Sequence, residues 1–279
     1  LGAQDKQLQG KVLLLRSNDL REWHPLGEIA GSGLGGLGPF GYMWECPDMF
    51  RLADQDMLIF CPQGIAAEAE RYRNTFQAGY LLGQLDYTKA AFDHQAFHEL
   101  DAGFEFYAPQ TTLAADGRRL LFAWMGIPDE DELYQPTVAY GWIHTMTCPR
   151  ELSLIDGKVI QRPARELQVL RREHRQWQGR AQEAPALSIR SAEMIVDVSA
   201  PFILGLGDEM MLVWDGERIT LSRRNLRTGL QEFRYWRGQL QQLQLLCDSC
   251  SIEIFINQGE AVMTTCYFPT EDPIAIFNG

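Results

Sequence analysis

A single glutamate lies in surroundings that suit a general acid. Glu45 occurs in the sequence GYMWECPD (residues 41–48), directly after Trp44 and two positions before Pro47. A carboxyl that is held against apolar side chains is partly removed from water, and it therefore keeps its proton more readily than an exposed one. Such a carboxyl can protonate a leaving oxygen at neutral pH. From composition alone, a solvated glutamate at a strand end is the more frequent case.

Asp48 is the nearest carboxylate along the chain that could act together with Glu45. On an extended strand, side chains three positions apart point to opposite faces of the sheet. We therefore expect Asp48 to be a structural hydrogen-bonding residue. The motif is then predicted to contribute one catalytic carboxyl, not a pair.

Several short sequences that follow one another along the chain give Glu45 a context. They are LGAQ (1–4), SNDLREW (17–23), WECPD (44–48), FEFYAPQT (104–111), GW (141–142) with PREL (149–152), and IFINQGE (254–260). Together they resemble the motifs of glycoside hydrolase family 32, the β-fructofuranosidases, which include invertases and sucrose-6-phosphate hydrolases. The resemblance covers essentially the whole chain. It implies that Glu45 is the acid/base residue of a retaining hydrolase acting on sucrose or sucrose-6-phosphate.

The resemblance does not extend to the other catalytic carboxylates. Retaining glycosidases pair the acid/base residue with a nucleophile about 5–5.5 Å away. Family members carry the nucleophile in an Asn-Asp-Pro sequence and a transition-state-stabilising aspartate in an Arg-Asp-Pro sequence, and this chain contains neither. We expect a fragment that is inactive alone and that needs a missing N-terminal segment of the same protein. The alternative is a non-catalytic carbohydrate-binding or assembly fragment.

Five further residues are predicted to contact a small-molecule fructoside. Glu105 and Tyr107 alternate along one strand face, so both are expected to point into the pocket while the neighbouring phenylalanines pack internally. The family usually has aspartate at the position of Glu105. Trp124 resembles a family tryptophan that lines the sugar site, although a core tryptophan is equally consistent with the sequence. Cys46 and Gln63 are weaker pocket candidates.

The composition disfavours several classes of partner. The net charge of −12 argues against nucleic acid and against an anionic membrane surface, and no apolar run approaches the roughly 18 residues of a membrane-spanning helix. The histidines and cysteines have no paired metal-ligand spacing, so we predict no metal and no cofactor. Cysteines scattered through apolar runs indicate reduced thiols and a cytoplasmic protein.

The chain is predicted to be all-β. Short apolar runs alternate with Asp-Gly and other turn sequences, and a propeller blade takes about 40–50 residues. Residues 1–160 would supply about three to three and a half blades, and the resemblance implies an incomplete five-bladed β-propeller. Residues 161–186 are predicted to be a helical and polar linker, with a helix from Pro163 to Trp177. Residues 187–279 are predicted to form a β-sandwich.

For four arginines the sequence either predicts a role or leaves two roles open. Arg150 and Glu151 are expected to form a structural ion pair that closes the last blade. Arg71 and Arg73, which flank Tyr72, could contact a phosphate or be solvated. Arg171 belongs to a basic group that would complement the dipole at the end of the predicted helix.

Overall fold

The computed structural model describes residues 1–207 and 210–278, and it confirms the all-β prediction. Three antiparallel sheets lie within residues 1–163, and two more are formed by the described residues from 187 onward. In the first three sheets, most strands pair with the strand that precedes them in the chain. Short strands separated by tight turns favour this kind of meander.

The first sheet has three strands, and the second and third sheets have five each. The strands are, in the first sheet, β1 (Gly2–Gln4), β2 (Gly10–Arg16) and β3 (His24–Gly31); in the second, β4 (Met43–Leu52), β5 (Gln55–Gln63), β6 (Gly79–Asp86), β7 (Ala91–His94) and β8 (His98–Glu99); and in the third, β9 (Tyr107–Leu113), β10 (Arg119–Met125), β11 (Thr145–Met146), β12 (Arg150–Ile155) and β13 (Lys158–Pro163). In the second sheet, β7 and β8 follow one another along the same edge of β6, and in the third sheet β11 and β12 share one edge of β10 in the same way.

The three sheets pack face to face in sequence order, and β5 shows why. Its residues 57–61 form a continuous apolar run, because both of its faces are buried. Leu58 and Phe60 join a core shared with the first sheet, whereas Ile59 joins a core shared with Leu121 of the third sheet. The second sheet is therefore covered on both sides, and the first strands of neighbouring sheets lie in contact.

The second half of the chain consists of two sheets packed face to face around one core. Leu212 and Leu221 from one sheet meet Leu245 and Ile254 from the other, and all four are fully buried. This packing defines a β-sandwich. In spatial order, the first sheet contains β14 (Leu187–Ser188), β23 (Ile274–Asn278), β16 (Phe202–Leu206), β17 (Met210–Trp214), β18 (Arg218–Arg224) and β19 (Gln231–Arg237), and the second contains β15 (Ala192–Asp197), β20 (Gln242–Asp248), β21 (Ser251–Ile256) and β22 (Ala261–Cys266).

The prediction of a helix from Pro163 to Trp177 was wrong. The structure has a short 3-10 helix over Arg165–Leu170 and extended or irregular backbone after it. A helix is stabilised mainly by packing an apolar face, and here Val169 and Leu170 are largely exposed. The remaining helical segments are the 3-10 helices Glu130–Tyr134, Pro136–Tyr140 and Ala181–Glu183. No helix within the described ranges is long and apolar enough to cross a bilayer.

Arg150 joins the third sheet to the sandwich, and this corrects its predicted pairing with Glu151. The Arg150 side chain is fully buried, and its guanidinium donates to Glu253 Oε2 at 2.7 Å and to Asp101 Oδ2 at 3.1 Å. Glu151 instead accepts from Arg118. Arg150 and Glu151 are adjacent on β12, so their side chains point to opposite faces and cannot pair.

Candidate active site

Trp44 fixes the strand that carries Glu45. The Trp44 ring is fully buried and stacks on Phe60 with centroids 4.0 Å apart, and its Nε1 donates to the Phe40 carbonyl at 2.7 Å. Because successive side chains on a strand point to opposite faces, burial of Trp44 directs Glu45 to the other face. The Glu45 side chain is half-buried there.

A β-bulge separates Glu45 from Asp48. Glu45 lies opposite Cys61 and Asp48 opposite Ile59, so β4 has one residue more than β5 between these pairs. Cys46 lies in the bulge with φ of +49°, a conformation that few residues other than glycine adopt. Since Cys61 and Ile59 share a face, the extra residue brings Glu45 and Asp48 onto that same face, contrary to the prediction from regular strand geometry.

Asp48 nevertheless has the structural role that was predicted. Its carboxylate accepts hydrogen bonds from the backbone N–H of Thr111 at 2.8 Å and from the Thr111 hydroxyl at 2.6 Å. These bonds tie β4 of the second sheet to β9 of the third. Asp48 is thus engaged by the neighbouring sheet and holds it in register beside Glu45.

Tyr107 and Gln63 form a hydrogen-bonded chain that ends on Glu45. The Tyr107 hydroxyl donates to Glu45 Oε2 at 2.9 Å, and Gln63 Nε2 donates to the Tyr107 oxygen at 3.1 Å. Burial raises the pKa of the Tyr107 phenol well above its usual value, and the nearby Cys61 adds to that shift. Tyr107 therefore stays protonated and acts as a donor, which leaves the second Glu45 oxygen available for other contacts.

The Trp124 ring lies beside the hydrogen bonds that join Gln63, Tyr107 and Glu45. Trp124 is opposite Tyr107 in the β9–β10 ladder, and the two rings meet edge to face with centroids 6.2 Å apart. The His144 ring also meets Trp124 edge to face, with centroids 4.8 Å apart. Burial lowers the pKa of His144, although the neighbouring Glu132 carboxylate opposes this effect. In the sequence, the histidines were assessed only for metal-ligand spacing, so the contact of His144 with Trp124 was missed.

Cys46 is exposed directly beside Glu45, whereas Cys61 behind it is fully buried. A hydrogen bond with Cys61 lowers the pKa of the Cys46 thiol to about 7, despite partial burial and the nearby Glu45 carboxylate. Burial raises the pKa of Cys61 well above its usual value. Cys46 is thus an exposed thiol next to Glu45 in the chain, and its role as a pocket residue stays a prediction.

The structure places Glu105 away from the position that strand alternation predicted. The Glu105 carboxylate pairs with Arg223 of the sandwich and accepts from the backbone N–H of Cys266 at 2.8 Å. The ladder of β9 begins only at Tyr107, and the backbone of Glu105 instead donates to the Thr264 carbonyl. Glu105 is thus used at the contact between the two halves of the chain.

The cluster formed by Glu45, Tyr107, Gln63 and Trp124 is suited to proton transfer next to a partly apolar surface. One carboxyl is oriented by a phenol that stays protonated, and an aromatic ring lies beside them. Carboxyl groups of this kind serve as general acids and bases. Within residues 1–207 and 210–278, no group of three or more His, Cys, Asp or Glu side chains is arranged to hold a metal ion.

Comparison with known proteins agrees with this description. Residues 1–163 match the glycosyl hydrolases family 32 N-terminal domain, and residues 214–279 match the family 32 C-terminal domain. The chain is 50% identical over its whole length to the sucrose-6-phosphate hydrolase of Salmonella typhimurium, of which it covers 59%. It is 41% identical to the enzyme of the same name from Bacillus subtilis, with 96% of the chain and 58% of that enzyme aligned.

Solved structures of family 32 enzymes also superimpose on this chain. A family 32 β-fructofuranosidase from Bombyx mori superimposes with a TM-score of 0.87 at 30% identity, covering 99% of this chain and 59% of that protein. Sucrose-6-phosphate hydrolase from Lactobacillus gasseri superimposes with a TM-score of 0.85 at 25% identity, covering 100% and 60%. This chain therefore spans about three fifths of the length of the relatives that it matches, and it belongs to glycoside hydrolase family 32.

Proposed function

We propose that this chain is the C-terminal part of a β-fructofuranosidase that cleaves sucrose or sucrose-6-phosphate with retention of configuration. The observation that carries the proposal is the half-buried Glu45 carboxyl, which accepts a hydrogen bond from Tyr107 next to the Trp124 ring. The names of the relatives, sucrose-6-phosphate hydrolase and β-fructofuranosidase, support the same chemistry.

Glu45 acts first as an acid and then as a base. It donates its proton to the glucosyl oxygen while the bond from that oxygen to the fructosyl anomeric carbon breaks and a carboxylate nucleophile binds that carbon. Glu45 then removes a proton from water, whose oxygen displaces the nucleophile and releases fructose. Tyr107 and Gln63 orient Glu45, Trp124 offers an apolar face to the sugar ring, and Cys46 lines the entrance.

The nucleophile and the transition-state-stabilising aspartate come from a preceding segment that completes the ring of sheets. Open faces on the outermost sheets support this. On the third sheet, Phe122 and Met146 lie on the face away from the core and are 36% and 57% exposed. On the first sheet, Leu13 and Leu15 lie on the face opposite the buried Val12 and are only partly covered. Apolar sheet faces of this kind are normally buried against another layer.

The described sheets support a partial five-bladed propeller, predicted over residues 1–160 and extended by β13 to Pro163, followed by a linker up to residue 186 and a sandwich from 187 onward. The second and third sheets each have four strand positions, as a propeller blade does. All six cysteines are free thiols, which supports a protein of the reducing cytoplasm.

Fusing the chain to the N-terminal segment of the Salmonella typhimurium enzyme tests this proposal. We expect the chain alone to release no hexose from sucrose-6-phosphate, because it lacks the nucleophile, and the fusion protein to release it readily. Hexose release is measured for both proteins at equal concentration, after their folding has been checked by circular dichroism. If neither protein hydrolyses the substrate but the chain binds sugar, the non-catalytic alternative replaces the proposal.

Tyr107→Phe in the fusion protein is expected to lower kcat for sucrose-6-phosphate about tenfold with little change in KM. The substitution removes the donor to Glu45 Oε2 and the acceptor of Gln63 Nε2, and a hydrogen bond to a charged group contributes about 1.5–3 kcal/mol. Steady-state kinetics give both constants, and Tyr87→Phe, at an exposed turn outside the cluster, is the matched control. An unchanged kcat would remove Tyr107 from the mechanism.

A further inference from the structure

A cleft of about 600 Å³ lies between the two halves of the chain. One wall is formed by residues 68–74, which follow β5, together with Glu99 and residues 101–103; the other wall is formed by residues 234–237 of β19. None of the residues that cluster around Glu45 lines this cleft. The cleft is therefore separate from the proposed active site.

Four arginines line the cleft, although the chain as a whole has a net charge of −12. Arg237 pairs with Glu70 at 2.7 Å. Arg71 and Arg73 form no ion pair within the described residues: Arg71 donates to the Tyr72 hydroxyl and lies over the Tyr72 ring, and Arg73 donates to the Ala69 carbonyl at 3.2 Å. Both keep guanidinium donors free for a ligand, because each guanidinium has five N–H groups.

Arg234 adds a cation at the base of the cleft. Its guanidinium is buried, although the residue as a whole keeps some exposed surface. It donates to Asn74 Oδ1 at 2.6 and 2.8 Å and to the Phe233 carbonyl, and no carboxylate of the described residues forms an ion pair with it. Burial lowers the Arg234 pKa to about 10. A buried cation that has only neutral acceptors favours the approach of an anion.

Four acidic residues also line the cleft. Glu70 pairs with Arg237 and Asp101 with Arg150, whereas Glu68 and Glu99 form no ion pair within the described residues. Glu99 accepts from the Tyr72 N–H at 3.2 Å, and burial raises its pKa to about 7, while Arg71 and Arg234 oppose the rise and Asp101 adds to it. Near neutral pH, a considerable fraction of Glu99 is therefore uncharged. Beside it, burial lowers the pKa of His98, so that side chain adds little positive charge.

Aromatic side chains complete the cleft. Tyr235 and Trp236 of β19 line the wall opposite Arg71 and are half-buried, and Trp236 also packs against the sandwich core. Aromatic faces suit the apolar C–H faces of a sugar ring, and guanidinium groups suit a phosphate. We propose that this cleft is a second ligand site that binds a phosphate monoester of a sugar, with Arg71, Arg73 and Arg234 on the phosphate and Tyr235 against the sugar.

Isothermal titration of the 279-residue chain with glucose 6-phosphate, inorganic phosphate and glucose tests the proposal. We expect glucose 6-phosphate to bind most tightly and glucose not to bind measurably. Arg71→Gln and Arg73→Gln should each weaken binding at least fivefold, and both side chains are exposed, so the variants should fold. If inorganic phosphate bound as tightly as glucose 6-phosphate, free phosphate would be the ligand and not a sugar phosphate. If glucose bound as tightly as glucose 6-phosphate, the proposal would be overturned.

Two matched controls test whether the ligand binds in this cleft. Arg175→Gln removes the same charge from an exposed segment elsewhere, and a loss of binding equal to that of Arg71→Gln would show that only the overall charge matters. Trp124→Ala alters the cluster around Glu45, and if it abolished binding the ligand would belong to the active site. Either result would overturn the proposal. Because binding and not hydrolysis is measured, the outcome does not depend on the proposed function.

The pH dependence supplies an independent check. Ionised Glu99 competes with the ligand for Arg71 and Arg234, so binding should tighten as the pH falls from 8 to 6.5. Glu99→Gln should bind more tightly than the unmodified chain at pH 8 and lose most of this dependence. If Glu99→Gln and the unmodified chain bound the ligand with the same affinity at both pH values, the ligand would bind outside this cleft.

Discussion

Glu45→Gln in the fusion protein is expected to lower kcat for sucrose-6-phosphate by about 10²–10⁴-fold. Glutamine keeps the size of the side chain and can still accept the hydrogen bond from Tyr107. It cannot give a proton to the leaving oxygen or take one from water, so both chemical steps lose their catalyst. Because binding contacts remain, KM should change much less than kcat.

Comparing substrates with different leaving groups shows whether Glu45→Gln removes the general acid or disturbs the whole site. An aryl fructoside with an acidic phenol as leaving group needs little protonation, so Glu45→Gln should slow its cleavage far less than that of sucrose-6-phosphate. Glu173→Gln makes the same chemical change at an exposed position and should leave kcat unaltered. Equal losses on both substrates would show that Glu45 is not the acid.

The cluster around Glu45 was predictable in part because its elements are set by local sequence. Alternation along β4 buries Trp44 and turns Glu45 the other way, and this requires only that residues 43–45 form a strand. Likewise, the orientation of Trp124 follows from the alternation of β10, where Leu121, Ala123 and Met125 are buried and Phe122 and Trp124 are not. Such patterns can be read without knowing which strands become neighbours.

Features that depend on distant parts of the chain could not be predicted in this way. Asp48 shares a face with Glu45 because β5 imposes a bulge, and the bulge exists only in the pairing of the two strands. Glu105 is engaged by the backbone of Cys266, a residue 161 positions away. A motif specifies residue types, whereas the partner that engages each side chain is decided by the tertiary fold.

The same limit explains the error at residues 163–177. The spacing of Leu167 and Leu170 would suit one face of a helix, and Pro163 would suit its first turn. In the part of the chain that the structure describes, this face is poorly covered, since Leu170 is 70% exposed. Without a surface to pack against, a short segment gains too little to hold a helix beyond one or two turns.

Arg150→Met is expected to lower the free energy of unfolding by about 3–5 kcal/mol. Arg150 is fully buried and donates to Asp101, Glu253, Thr264 and Gln161. Methionine fills a similar volume, so the cost comes chiefly from two carboxylates that lose their counter-charge. Urea unfolding followed by fluorescence measures the change.

The penalty should depend on pH. Burial already raises the pKa of Asp101, and the charge of Arg150 opposes that rise, so removing Arg150 raises the pKa further. An acid whose pKa is higher in the folded state than in the unfolded state loses stability as the pH rises above the unfolded value, about 3.9. Arg150→Met should therefore be destabilised less at pH 5 than at pH 8.

A triple variant separates unpaired charge from lost packing. Arg150→Met combined with Asp101→Asn and Glu253→Gln removes the two buried charges, and it should recover much of the stability lost by Arg150→Met alone. Arg165→Met, which breaks the exposed pair with Asp116, should have a far smaller effect. If the triple variant were no more stable than Arg150→Met, the loss would come from packing. Since Asp101 precedes the third sheet and Glu253 lies on β21 of the sandwich, recovery would also show that this ion cluster couples the two halves of the chain.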